Sequence, residues 1–149
     1  MSDESLFLEP GASHMKFRKF RQNKLWRDNA VNLMEKMGSK IHWSRLESDA
    51  FNEELKVKLQ EEVSEVCAAK TKTSLLGELA DVLEVISAFC DLHEVTLHDV
   101  IQLQEKKHQE RGGFKERKFV TVAEHLEGSF GEKYCLADPE KYPEITETK

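Results

Sequence analysis

Two groups of acidic residues lie close together in the middle of the chain. The first is Glu61-Glu62-Val-Ser-Glu65 and the second is Glu78-Leu-Ala-Asp81. Residues three apart share one face of an α-helix, so each group projects a pair of carboxylates from one side. Carboxylate oxygens are the ligands that Mg²⁺ prefers. The spacing therefore predicts two facing helices that hold Mg²⁺, with Mn²⁺ as an acceptable substitute, between Glu62, Glu65, Glu78 and Asp81.

The second acidic group carries the stronger signal for a metal site. Between Leu75 and Cys90 the only formal charges are Glu78, Asp81 and Glu84, in a stretch that is otherwise apolar. A carboxylate buried in such a helix needs a cation or a hydrogen-bonding partner, because desolvating it alone is costly. A solvated acidic helix face is the competing explanation, and for the first group taken alone it remains the more common one.

The spacing of apolar residues predicts four helices. They run from about residue 23 to 37, from 50 to 69, from 75 to 92, and from 96 to the glycines at 112 and 113. Gly38 is a natural stop for the first helix, Ser48 or Asp49 is suited to cap the second, and Thr96-Leu-His-Asp99 resembles a capping box. The short polar connection between the second and third helices predicts an antiparallel hairpin, which brings the two acidic groups together.

These elements define an all-α fold, a compact helical bundle with short extended additions at residues 41–46 and 119–123. The third helix is apolar on two sides, which favours an oligomer. We expect residues 1–15 to be a leader, disordered or derived from a cloning vector, because they include Gly-Ala-Ser-His-Met. Residues 16–120 would form the all-α domain, and residues 121–149 a C-terminal extension.

Composition narrows the class of protein. The chain has 149 residues and a net charge of -6 at pH 7, which argues against general nucleic-acid binding. It has no apolar run long enough to span a bilayer, so no membrane partner is expected. Cys67, Cys90 and Cys135 lack zinc-site spacing and are interpreted as small core-filling thiols. We therefore expect a protein of the reducing cytoplasm.

Basic residues at the end of the fourth helix are candidate phosphate contacts. Lys106, Lys107 and Arg111 precede the glycine stop and could donate charge-assisted hydrogen bonds to phosphate oxygens. For any one of them, simple complementation of the helix dipole is the favoured explanation. Glu61, beside the first pair of metal ligands, is placed to orient or deprotonate a water molecule.

The ordered set of motifs resembles the all-α nucleoside triphosphate pyrophosphatases, with their MazG-like, dUTPase-like and phosphoribosyl-ATP pyrophosphohydrolase-like branches. The EExxE and ExxD motifs of that superfamily are matched by the two acidic groups. The phosphoribosyl-ATP branch also has an early Lys-Leu-Val-Arg-Asp and a late Arg-Gly-Gly-Phe, matched here by Lys24-Leu-Trp-Arg27-Asp28 and Arg111-Gly-Gly-Phe114. The chain departs from the family where Arg-Asp is followed by Asn29-Ala30-Val31.

The resemblance implies magnesium-dependent cleavage between the α and β phosphates of a nucleoside triphosphate, giving a monophosphate and pyrophosphate. A housekeeping enzyme that removes noncanonical nucleotides, acting as a homodimer or homotetramer, is the expectation. Glu61 would be catalytic, and the four other acids would bind metal. The expected substrate contacts are Lys24, Trp26, Arg27, Asp28, Lys106, Lys107 and Arg111. The alternatives are hydrolysis of phosphoribosyl-ATP itself and a non-catalytic helical interaction module.

Overall fold

The structure is a computed structural model that describes residues 16–146. The leader predicted for residues 1–15 lies outside the described residues. Within that range the chain forms five helices and no strand: α1 (Asp28–Lys36), α2 (Ser48–Ala68), α3 (Lys72–Leu92), α4 (Leu97–Arg111) and α5 (Phe130–Leu136). The all-α class is thus confirmed. No helix in residues 16–146 has the length and apolar character needed to cross a bilayer.

The chain divides into two compact units, Met1–Leu103 and Gln104–Lys149, and the boundary falls inside α4. The first unit contains α1, α2, α3 and the start of α4. The second contains the rest of α4 and α5. The separate C-terminal extension expected for residues 121–149 stays a prediction.

Helices α2 and α3 pack against each other as an antiparallel hairpin and form the body of the first unit. Only residues 69–71 connect them. Near the far end of the hairpin, His93 Nε2 lies 3.2 Å from Asn52 Oδ1, which joins the start of α2 to the residue that ends α3. The apolar side chains buried in the described residues are Leu55, Val85 and Cys90. This small core holds the two acidic groups in register.

Side-chain caps fix where two of these helices begin. α3 starts at Lys72, three residues before the predicted start, because Thr71 Oγ1 accepts a hydrogen bond from the Ser74 amide at 3.0 Å. The predicted capping box of α4 is confirmed. The Thr96 amide donates to Asp99 Oδ2 at 2.8 Å, and the Asp99 amide donates to Thr96 Oγ1 at 3.1 Å.

Glycines end two helices as predicted. Gly38 follows α1 with φ +99°, and Gly112 follows α4 with φ +77°. Both angles lie in the left-handed region that glycine enters without the steric cost of a Cβ atom. The amide of Gly112 donates to the His108 carbonyl at 2.8 Å, which closes the last turn of α4.

Several local predictions were wrong. Ser48 and Asp49 do not cap α2; Glu47 occupies that position without a side-chain hydrogen bond, and Asp49 lies in the first turn, where its charge complements the helix dipole. Residues 41–46 and 119–123 form no strand, because no other segment in residues 16–146 pairs with them. Cys90 is buried as expected, but Cys67 is exposed in the last turn of α2.

Candidate metal centre

The structure brings the four predicted metal ligands together. Glu62 and Glu65 project from α2, and Glu78 and Asp81 project from α3. Each offers one carboxylate oxygen, and these four oxygens all lie within 4.8 Å of one another. The arrangement follows from two features of the sequence: the i, i+3 spacing puts each pair on one helix face, and the short connection turns the two faces toward each other.

Two oxygens of this carboxylate cluster are buried without a partner. Glu62 is 6% exposed, and neither Oε2 of Glu62 nor Oε2 of Glu78 accepts a hydrogen bond from any residue in the range 16–146. Each buried acceptor left unsatisfied costs about 1 to 3 kcal/mol. A divalent cation that accepts hard oxygen ligands would satisfy both atoms. The residues present therefore fit a metal ion of the magnesium type.

Electrostatic repulsion inside the carboxylate cluster is visible in one pKa. The hydrogen bond between Glu65 and Glu78 raises the pKa of Glu65 above its ordinary value, and the negative charge of Glu78 adds to the effect. The proximity of Glu78 therefore favours the protonated form of Glu65 relative to an isolated carboxyl group.

Two basic residues from the segment before α1 contact the acids of the hairpin. Lys24 Nζ lies 2.9 Å from Glu61 Oε1 on α2, and Arg27 Nη2 lies 2.6 Å from Asp81 Oδ1 on α3. Arg27 also approaches Glu84 at 3.9 Å. The segment thus joins both helices at the edge of the carboxylate cluster. Of the other two residues predicted there, Trp26 is half-buried and Asp28 is exposed in the first turn of α1.

Glu61 is oriented differently from the four clustered acids. Its Oε1 accepts from Lys24, and its Oε2 lies 3.4 Å from Lys58 Nζ. The hydrogen bond from Lys24 holds the pKa of Glu61 below its ordinary value, and Lys58 reinforces the effect against partial burial. These contacts favour the ionised form of Glu61, a carboxylate that can accept a hydrogen bond from a water molecule.

Lys58 is the site residue that the sequence reasoning missed. Its Nζ lies 3.0 Å from Glu62 Oε1, one turn further along the same helix, in addition to its contact with Glu61. Burial lowers the pKa of Lys58, but the hydrogen bond to Glu62 and the charges of both glutamates raise it more, so that the net shift is upward. The signal was present in the sequence as Lys-Leu-Gln-Glu-Glu, which places a lysine at i-3 and i-4 from two acids.

Lys106, Lys107 and Arg111 belong to the second unit. All three are exposed on the last turns of α4. Their assignment as phosphate contacts stays a prediction.

A helical hairpin in which an EExxE face meets an ExxD face across four converging carboxylates defines the class of all-α nucleoside triphosphate pyrophosphatases. A family model, phosphoribosyl-ATP pyrophosphohydrolase, matches residues 32–108, just over half of the chain. The chain belongs to this family and is a pyrophosphohydrolase, a hydrolase that acts on phosphoric anhydrides. Enzymes of this family are typically metal-dependent. No curated protein and no solved structure gives a significant match to the chain.

Family membership favours an enzyme over the non-catalytic interaction module that the sequence left open. The matched region contains α2, α3 and both acidic groups. It begins after Lys24-Leu-Trp-Arg27-Asp28 and ends before Arg111-Gly-Gly-Phe114, so these two motifs lie outside it. Lys106 and Lys107 lie inside it.

Proposed function

We propose that this protein is a magnesium-dependent nucleoside triphosphate pyrophosphohydrolase that cleaves the bond between the α and β phosphates and releases a nucleoside monophosphate and pyrophosphate. Its role would be housekeeping removal of noncanonical nucleotides in the cytoplasm. The observation that carries the proposal is the four-carboxylate cluster on the α2-α3 hairpin, in which two buried oxygens have no partner. Such oxygens attract a divalent cation.

Glu62, Glu65, Glu78 and Asp81 would hold Mg²⁺, with Mn²⁺ as a substitute. When bound, the ion would neutralise the polyphosphate, orient it, and lower the pKa of a coordinated water molecule. Glu61 lies beside this cluster, and its carboxylate is kept ionised by Lys24 and Lys58. It would accept a hydrogen bond from the attacking water and direct its lone pair toward phosphorus.

Lys24 and Arg27 are the first candidates for holding the phosphates. Both side chains reach the edge of the carboxylate cluster and remain partly exposed, 41% for Lys24 and 57% for Arg27. A guanidinium that already binds a carboxylate can rotate to bind a phosphate with the same geometry. The other proposed substrate contacts are Trp26, Asp28, Lys106, Lys107 and Arg111.

Phosphoribosyl-ATP is the second candidate substrate, because the family model that matches the chain carries that name. It contains the same α-β phosphoric anhydride, so the carboxylate cluster would serve it equally. The difference must then lie in contacts to the base and sugar rather than in the metal ligands.

We further propose that the protein functions as a homodimer or homotetramer. Leu75, Leu76, Leu79 and Leu83 on α3 are 38%, 71%, 48% and 48% exposed, although they belong to the most apolar helix of the chain. Adjacent exposed apolar residues of this kind usually lie in an interface. A second copy would cover them and enlarge a core that is small in one chain.

The decisive experiment is to incubate the purified protein with Mg²⁺ and a panel of nucleotides that includes phosphoribosyl-ATP, and to measure released pyrophosphate. We expect cleavage at the α-β bond, and a loss of turnover of more than about 100-fold for Asp81→Asn. Glu53→Gln is the matched control, because Glu53 is an exposed acid of α2 whose one ion pair within residues 16–146 is with Lys56. Release of orthophosphate instead of pyrophosphate, or full activity of Asp81→Asn, would contradict the proposal.

A further inference from the structure

Lys58 sits against the metal ligand that is most deeply buried. Its ammonium group lies 3.0 Å from Glu62 Oε1, while Glu62 Oε2 is buried and accepts no hydrogen bond. The two oxygens of one carboxylate therefore have opposite environments. One oxygen is paired with a lysine, and the other has no hydrogen-bond partner among residues 16–146.

The contacts of Lys58 with the acids lie within a single helix. It contacts Glu61 at i+3 and Glu62 at i+4, the two spacings that a single helix brings together. Its side chain is 21% exposed, compared with 55% for Lys56 two residues earlier. Lys24 and Arg27, by contrast, reach the acids from a separate segment. Among the described basic residues that contact Glu61, Glu62 or Asp81, Lys58 is therefore the one that belongs to α2.

We propose that Lys58 is a built-in counter-ion of the metal site, which positions Glu62 through Oε1 and weakens the binding of the divalent cation. This inference rests on the proposed function. In the metal-free protein the ammonium offsets the charge of a buried carboxylate. When a cation binds at Oε2, the same positive charge lies one carboxylate away and repels it. Lys58 therefore stabilises the empty site and lowers its affinity for metal.

The test compares Lys58→Met, Lys58→Gln and Lys58→Arg with the wild-type protein. Lys56→Met is the matched control, because Lys56 lies on the same helix and pairs only with Glu53. Mn²⁺ affinity is measured by titration calorimetry, and the melting temperature of the metal-free protein by thermal unfolding. Lys58→Gln keeps a hydrogen-bond donor for Glu62 but removes the charge. Its Mn²⁺ affinity can therefore be measured even if Lys58→Met does not fold.

We expect both neutral variants to bind Mn²⁺ about tenfold more tightly than the wild type, because one positive charge near the ion has gone. The metal-free Lys58→Met protein should melt at a lower temperature, while Lys58→Arg and Lys56→Met should match the wild type in both measurements. Equal or weaker Mn²⁺ binding by the neutral variants, or an arginine variant that behaves like them, overturns the role of Lys58. A wild-type protein that binds no Mn²⁺ overturns the proposed function, and this inference with it, before any substitution is compared.

Discussion

Replacement of Glu62 by glutamine should have opposite effects on the stability of the protein without and with metal. Glu62 is 6% exposed; its Oε1 lies 3.0 Å from Lys58 Nζ, and its Oε2 has no hydrogen-bond partner in the described part of the chain. In Glu62→Gln, the amide oxygen still accepts from Lys58, and the amide nitrogen can donate to the neighbouring carboxylates. Giving this previously unpaired side-chain atom a hydrogen bond raises the free energy of unfolding by about 1 to 3 kcal/mol. The hydrogen bond from Lys58 then goes to a neutral oxygen instead of a carboxylate, which lowers the free energy of unfolding by about 1 kcal/mol.

The net expectation without metal is that Glu62→Gln is more stable by about 1 kcal/mol, a rise in melting temperature of about 2 to 4 °C for a chain of this size. With metal the order reverses. At a free Mg²⁺ concentration of 100 times its dissociation constant, the wild type gains about 2.7 kcal/mol by mass action. The variant lacks one of the four proposed ligands and an anionic charge, so Mg²⁺ should add little to its stability.

Thermal unfolding with chelator and again across a Mg²⁺ titration measures both effects on the same samples. Glu53→Gln, which neutralises an exposed acid on the same helix, should follow the wild type in both conditions. The reasoning is refuted if Glu62→Gln is clearly less stable than the wild type in chelator, because the unsatisfied oxygen would then carry no cost. It is refuted equally if Mg²⁺ raises the melting temperature of the variant as much as that of the wild type.

Three further outcomes follow from particular contacts. Glu78 raises the pKa of Glu65 in the folded, metal-free protein. The protonated form of Glu65 therefore stabilises the fold at pH values below the ordinary carboxyl pKa, and this stabilisation is lost as pH rises through the raised pKa. Mg²⁺ affinity, followed by calorimetry, should increase over that same window, and Glu65→Gln should remove the dependence. Thr96→Ala removes one half of the α4 capping box and should lower the free energy of unfolding in urea by about 1 kcal/mol; no change would show that the cap is not stabilising. Leu76→Glu places a charge on an apolar face that is 71% exposed, so light scattering should show the mass of a single chain; an unchanged oligomer would exclude this face as the interface.

The sequence predicted the convergence of the four carboxylates because the features that create it are local. Residues at i and i+3 share one face because of helix geometry alone, and two helices joined by only a few residues pack as antiparallel neighbours. Both properties can be counted directly in the residues from Glu61 to Asp81. The exact ends of the helices were harder to predict, because several nearby polar side chains can compete to cap one helix. Thr71 caps α3, while neither Ser48 nor Asp49 caps α2.

Helix α5 was missed although its signal was present. Ser129-Phe-Gly-Glu132 has the spacing of a capping box, with Ser129 Oγ accepting from the Glu132 amide at 3.4 Å and Glu132 Oε1 accepting from the Gly128 amide at 3.1 Å. The helix has only seven residues, too few to show a repeating apolar pattern. The predicted strands failed for the opposite reason, since alternation within one segment says nothing about whether a neighbouring strand exists to pair with it.

The pairing of two basic residues with the acids was beyond sequence reasoning because these residues come from distant positions. Lys24 is 37 residues from Glu61, and Arg27 is 54 residues from Asp81. These two ion pairs join the segment before α1 to both helices, and in the described residues the apolar core between those helices is small. Like charges in the carboxylate cluster push α2 and α3 apart, while Lys24, Arg27 and Lys58 offset part of that repulsion. We therefore expect the proposed metal binding to be coupled to folding of the hairpin. An ion that neutralises the four acids should protect the amides of α2 and α3 around them from hydrogen exchange, more than those near Asn52 and His93.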